Sequence, residues 1–292
     1  MGHSPPHLTL ESLPIGASFA RFRRQDMFLV IVAHVDYKLY MKNMREAIEV
    51  FHLLFLKQLG SRVDKNLWVL KGGCNLRFFL KSVRYSEDMD IDVHTMAPTT
   101  LRRNVNTILK SSSFASILKS FQLAIVQYSE PKQTSTTQRW KIRLRMLVSD
   151  QEVPTKIEFS RRGVDKGIVF EPVDGELLHR YRLSPMLATH YTKETAFLQK
   201  VTALAKRGET QARDIFDLKL LIDAGATPAD LQPTQEPLFT AACQRALALR
   251  HTDFNSQVVA YLPPEWQDYY SDRRAWDALQ KVVAETLHRL TK

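Results

Sequence analysis

Apolar residues recur along this chain with two periods, and the switches between them mark out its elements. Ile48, Phe51, Leu54, Phe55 and Leu59 lie three and four apart, the spacing of one helix face. The pattern predicts a mostly helical stretch over residues 27–60, broken near 36–38 and ended by Gly60. Residues 67–70 form a short apolar run, enough for one buried strand. Gly72 and Gly73 interrupt it, and residues 74–80, apolar around Arg77, predict one or two helical turns. Residues 85–93 then alternate, the period of a half-buried strand. Pro98 to Thr100 opens a helix to about Lys110, with Thr99 or Thr100 as its cap; Ser111 to Ser113 reads as a loop. Residues 121–128 and 139–148 alternate and predict strands. The polar, proline-containing link at 129–138 reads as a mobile hairpin loop. Residues 153–160 predict another strand, and 169–183 an extended connection with a short strand. Ser184 and Pro185 are residue types that cap and begin a helix, so a long helix is expected from there to Gly208. Residues 211–224 predict the next helix, and 227–292 three or four more. Residues 271–290 are amphipathic, with Trp276, Leu279, Val282, Val283 and Leu287 as the inward stripe.

The chemistry concentrates where the alternation is acidic. Successive strand side chains point to opposite faces, so Ser86, Asp88, Asp90 and Asp92 share one. Three carboxylates in a row repel each other. A solvated acidic strand tolerates this; a bound divalent cation explains it, because Mg²⁺ takes hard oxygen ligands and is held by one or two carboxylates plus substrate phosphates. On residues 153–160, Lys156 and Glu158 lie opposite Thr155, Ile157 and Phe159. Beside the acidic strand, Glu158 becomes a third acid; the plainer reading is a cross-strand charge pair. Arg139, Lys141, Arg143 and Arg145 share the face opposite Trp140, Ile142, Leu144 and Met146, as a solvated edge or a phosphate track. Arg21, Arg23 and Arg24 form either a basic surface or a solvated helix start. By residue type alone Lys200 reads as a surface lysine, and Asp214 as a first-turn acid favoured by the helix dipole.

Composition narrows the classes. The chain has 292 residues, with ordinary globular proportions of 44% hydrophobic and 25% charged residues. That length allows one large domain or two medium ones. Two cysteines, Cys74 and Cys243, make no disulfide framework and suggest a reducing cytosol. No run approaches the roughly 20 apolar residues of a membrane span, and no signal-peptide pattern opens the chain. Residues 1–16, with three prolines, read as a loose tail. The net charge of +10 points to a polyanionic partner, RNA or DNA; a generically basic protein is the alternative.

Three segments then line up: Lys71-Gly72-Gly73-Cys74-Asn75-Leu76-Arg77 followed by residues 84–90; Lys156-Ile157-Glu158-Phe159-Ser160; and Lys200-Val201-Thr202-Ala203-Leu204 followed by Arg207 and residues 213–218. In this order and spacing, over roughly residues 59–221, they resemble the AbiEii/AbiGii nucleotidyltransferase toxin family, a branch of the DNA polymerase beta-like nucleotidyltransferases. The resemblance implies an α+β fold: a nucleotidyltransferase domain with a mixed sheet and an N-terminal helical extension (1–183), then a C-terminal helical domain (184–292). It implies a cytoplasmic toxin of a toxin–antitoxin or phage-defence system that transfers NMP from an NTP to RNA, tRNA being the family-level expectation. Mg²⁺ or Mn²⁺ would act in a two-metal site, and a cognate antitoxin would be a partner. Matched to the family pattern, Asp88, Asp90 and Glu158 are the metal ligands and catalytic acids. Lys200 and Asp214 are catalytic, with Asp214 orienting Lys200 or the acceptor. Gly72, Gly73, Ser86, Arg84, Lys200 and Arg207 bind the nucleotide. The broader group has Gly-Ser where this chain has Gly72-Gly73, and Ser86 matches the serine role instead. Asp90 with Asp92 is the alternative metal pair, but the family register favours Asp88 with Asp90. Competing functions are NMP transfer to a protein or small-molecule hydroxyl, and nucleic-acid binding by an inactive site.

Overall fold

The computed structural model describes residues 43–161, 166–226 and 235–291. The expectations for the tail at 1–16, the basic stretch at 17–26 and the break near 36–38 lie outside them. Helix α1 (Met44–Arg62) begins at Asn43, whose side chain accepts from the amides of Arg45 and Glu46, donors that lack partners inside a first turn. Its burial exceeds one face and includes Phe51, Leu53, Leu54, Phe55 and Leu56. Each such side chain contributes about 1.5–3 kcal/mol when fully withdrawn from water. A short 3-10 turn (Lys65–Leu67) leads into β1 (Trp68–Lys71), then α2 (Gly72–Phe79) and β2 (Asp88–Val93).

Seven strands form one mixed sheet in the order β3-β4-β5-β2-β1-β7-β6. These are β3 (Leu123–Gln133), β4 (Thr137–Met146), β5 (Gln151–Ser160), β6 (Ile168–Pro172) and β7 (Leu187–Tyr191), with β1 and β2. β2 lies centrally, antiparallel to β1 and parallel to β5. Trp140, Ile142, Leu144, Ile157 and Phe159 from the sheet join one apolar core with Phe51 of α1, Val105 of α3 (Pro98–Lys110) and Phe114 of α4 (Ser112–Ser120). A second core gathers α6 (Lys193–Lys206), α7 (Ala212–Asp223), α8 (Glu236–Ala248), α9 (His251–Gln257) and α11 (Arg273–Arg289) around Phe197, Phe216, Phe239, Phe254 and Trp276. Between them in sequence come α5 (Gly175–Arg180) and, in the helical part, α10 (Pro264–Ser271). Leu76 of α2 belongs to the second core, while Cys74 and Phe78 belong to the first. The helix behind the glycine pair therefore joins the two.

The mixed α/β architecture matches the expected fold class, and several elements differ from their sequence expectation. Residues 187–191 are a strand, not the start of a long helix at Ser184; the helix begins at Lys193, capped by Thr192. Pairing with both β1 and β6 claims this segment for the sheet, which outweighs a local Ser-Pro start signal. The link at 129–138 is mostly paired strand, because β3 runs to Gln133 and β4 starts at Thr137. Of the loop expected at Ser111 to Ser113 only Ser111 lies outside a helix: Ser112 and Ser113 open α4, and the Ser111 hydroxyl caps it by accepting from the Phe114 amide. α3 is started by Pro98 with Ala97 at the cap position, not by Thr99 or Thr100. α1 continues through Gly60, which has no positive φ and so no reason to end it. β2 starts at Asp88, three residues later than the alternation suggests, because Tyr85 donates its amide to Tyr261 and lies under Arg77. The connection at 169–183 folds α5 in addition to its strand.

Candidate active site

The cleft is built outward from the β1–α2 turn. Gly72 has φ +67°, a conformation that side chains other than glycine's adopt only under strain. A Cβ there would also lie 3.0 Å from an Asp90 carboxylate oxygen. Gly73 is needed for space instead: its added Cβ would fall 2.6 Å from Ser86 Oγ. α2 has no side-chain cap, so its first amides lack partners within the helix. Asn75 anchors the helix to β7, donating to the Tyr191 carbonyl at 2.9 Å.

Side chains of α2, of β5 and of Ser86 just ahead of the strand fix the entry into β2. Ser86 Oγ donates to the Asp88 carbonyl at 2.8 Å, and Cys74 Sγ to the same oxygen at 3.3 Å. Thr155 donates to the Glu87 carbonyl at 2.7 Å. That leaves its oxygen to accept from His52 Nε2, 2.8 Å away. Burial pushes the His52 imidazole down to about 3, so it stays neutral in this chain of bonds.

Parallel register aligns Asp90 with Glu158 and Asp88 with Lys156. Asp88, Asp90 and Glu158 all line one cleft of about 390 Å³, together with Gly72, Gly73 and Lys200. Asp88 pairs with Lys156 at 2.8 Å and Glu158 with Arg139 at 2.6 Å. Asp90 has no hydrogen bond or ion pair among the described residues. Burial raises its carboxyl above the usual range; Lys71 and Lys156 oppose the rise, and the charges of Asp88 and Glu158 add to it. Asp92 is not in this cleft. It is buried, pairs with Lys71 at 2.5 Å and accepts from the Tyr191 hydroxyl at 2.9 Å.

The opposite wall comes from α6 and α7. Lys200 Nζ lies 3.0 Å from Asp214 and 2.6 Å from Asp217. Arg84 forks onto Asp217 at 2.9 and 3.0 Å, and Arg207 reaches Asp214 at 3.3 Å. Both aspartates are fully buried. Burial alone would raise the Asp217 carboxyl, but the adjacent Arg84 and Lys200 outweigh it and hold it below the usual range. Sequence reasoning gave Asp217 and Lys156 no site role and offered Arg139 only as part of a solvated edge or a phosphate track. For Asp217 a signal existed: it sits three residues after Asp214, on the same helix face.

The donor set fits a hard divalent cation. Two carboxylates two apart on one strand and a third in register beside them supply oxygens to one space, and Asp90 lacks a counter-charge bonded to it. Among the described residues no three such groups already stand in a coordinating arrangement, because Asp88 and Glu158 are turned onto Lys156 and Arg139.

The profile of the family described as "Nucleotidyl transferase AbiEii toxin, Type IV TA system" matches residues 54–285. The chain belongs to this family. The AbiEii match includes every residue lining the cleft. The fold is shared with the crystal structure of JHP933 from Helicobacter pylori, at TM-score 0.53 and 19% identity over 86% of this chain and 96% of that chain. A candidate nucleotidyltransferase from H. pylori matches at TM-score 0.52 and 20% identity over 83% and 95%. No curated protein matches the sequence. An AbiEii toxin of a type IV system has an antitoxin partner by family. Among the described residues no helix is long and apolar enough to cross a membrane.

Gly73→Ala is expected to push Ser86 aside and shift the start of β2. A displacement near 1 Å at a reacting centre costs on the order of 10²-fold in rate. Steady-state rates of the purified variant, beside an unchanged melting temperature, check this; a wild-type rate would mean Ser86 yields freely.

Proposed function

We propose that this AbiEii-family protein transfers NMP from an NTP to a hydroxyl of an RNA acceptor, tRNA in particular, and releases pyrophosphate. The observation that carries the reading is the meeting of Asp88, Asp90 and Glu158 in one cleft with the glycine pair and Lys200. Asp88, Asp90 and Glu158 are the residues to hold Mg²⁺ or Mn²⁺, which supplies Lewis acidity and neutralises triphosphate charge when bound. The uncapped α2 amides beside Gly72 and Gly73 receive phosphate oxygens. Lys200 and Arg207 offset charge developing on the leaving pyrophosphate. Asp214 orients Lys200, and Arg84 is held ready by Asp217. Ser86 keeps its proton on the Asp88 carbonyl, so its first contribution is to position that strand. Glu158 accepts the proton of the acceptor hydroxyl. The new bond joins acceptor oxygen to the α-phosphorus, and the α–β phosphoanhydride bond breaks. The net charge of +10 favours a polyanionic acceptor, and the free thiols of Cys74 and Cys243 accord with a cytoplasmic setting.

Incubation with Mg²⁺, each labelled NTP in turn and unfractionated tRNA tests this. Label in the RNA band is the expected result. Label in a protein band would shift the reading to a protein acceptor, and no label anywhere would leave a nucleic-acid-binding protein without transfer.

A further inference from the structure

We infer that the open face of β3, β4 and β5 is the track along which the acceptor's phosphodiester backbone lies while its reacting hydroxyl enters the cleft. This rests on the RNA-transferase reading of that cleft and names the surface through which it takes its acceptor.

The register of β4 on β5 carries the inference. On the outer face the opposed residues are Arg139 with Glu158, Lys141 with Lys156, Arg143 with Pro154, and Arg145 with Glu152. The end rungs match a cation with an acid. The middle rungs do not. Lys141 faces another lysine, an arrangement that destabilises a sheet when nothing neutralises it, and it has no ion pair among the described residues. Lys156 is already engaged with Asp88. Arg143 faces a proline and reaches Glu152 only at 3.5 Å. The paired strands thus hold one cation without an ion pair, Lys141, and a second, Arg143, that shares Glu152 with Arg145, next to the proposed reaction centre, an arrangement complementary to a polyanion.

The shape agrees with the charge. A groove of about 480 Å³ crosses these rungs, with Gln127 and Ser129 of β3 on one side and Glu87 and Asp88 at its end. Glu87, Asp88 and Lys156 line both this groove and the cleft, so the two are continuous. The outward cations of β4 recur every second residue, about 6.6–6.8 Å apart. Arg84, Lys200 and Arg207 stand across the cleft near the glycine pair. A triphosphate held there leaves Lys141 and Arg143, which line the groove and not the cleft, for a second phosphate chain.

The variants are Lys141→Glu with Arg143→Glu, and the milder Lys141→Ala; both side chains are exposed. Lys281→Glu, on α11 and paired with Glu285, is the charge control. Affinity for unfractionated tRNA across a salt series, and label transfer to that tRNA, are measured on the full chain. Melting shifts with each of the four NTPs report whether the cleft is intact. The double variant is expected to lose roughly tenfold or more in RNA affinity and in transfer, with a shallower salt dependence and unaltered NTP-induced shifts. Lys141→Ala is expected to lose a few-fold, and Lys281→Glu nothing. Wild-type RNA affinity and transfer in the double variant would overturn the inference and leave the reading of the cleft standing. If the wild-type chain labels a protein, or nothing, the reading itself fails and the track goes with it.

Discussion

Asp88→Ala and Asp90→Ala are each expected to cut nucleotidyl transfer by on the order of 10³-fold or more, since each removes a proposed ligand of the ions that hold the triphosphate. Their effects on stability are expected to differ from those of ordinary core substitutions. Asp88 is partly exposed and its lost partner, Lys156, can turn to water, so little stability is at stake. Asp90 is held in a burial-dominated setting that disfavours its charged form, beside two other carboxylates. In metal-free buffer its removal relieves like-charge repulsion, and the melting temperature of Asp90→Asn is expected to equal or exceed that of the wild type. Activity lost with stability retained is the signature sought. Full activity in either variant would remove these residues from the reaction.

Asp217→Ala is expected to be the most damaging single change to the fold among the cleft residues. Asp217 is fully buried and holds both Arg84 and Lys200. Removing it strands a buried guanidinium, which costs about 3–5 kcal/mol in comparable pairs. It also frees the Lys200 ammonium from one of its two anchors, so transfer should fall as well. The pH dependence follows from the depressed Asp217 carboxyl. A carboxyl whose folded-state value is lowered contributes stability that is complete above its unfolded value, near 3.9, and is lost as pH falls below it. The urea midpoint gap between wild type and Asp217→Asn should therefore be widest near neutrality and narrow below about pH 4. A midpoint for Asp217→Ala equal to that of the wild type would show that Arg84 finds another partner.

What the sequence made legible was whatever a local period or a local pair could carry. The β1–α2–β2 unit was readable because an apolar run, two glycines and an alternating acidic stretch follow one another within 26 residues, 68–93. That Asp90 and Glu158 lie in register could be stated only as a condition, because strand neighbours far apart in the chain leave no local trace. β7 was hidden behind Ser184-Pro185, whose helix-start chemistry is real but weaker than pairing on both sides of Leu187–Tyr191. Asp92 shares its parity with Asp88 and Asp90, and only Lys71 and Tyr191 closing over it separate it from them. Asp217 escaped because its partners, Arg84 and Lys200, come from two other segments. The like-charged rung of Lys141 and Lys156 likewise exists only once β4 and β5 are paired.

The most direct test is anomalous diffraction from crystals holding Mn²⁺ and a non-hydrolysable NTP analogue. The expected map has manganese within coordination distance of Asp88, Asp90 and Glu158, with Glu158 turned away from Arg139 and the triphosphate against the start of α2. Manganese bound elsewhere, with Glu158 still on Arg139, would contradict a reaction centre made from these three carboxylates.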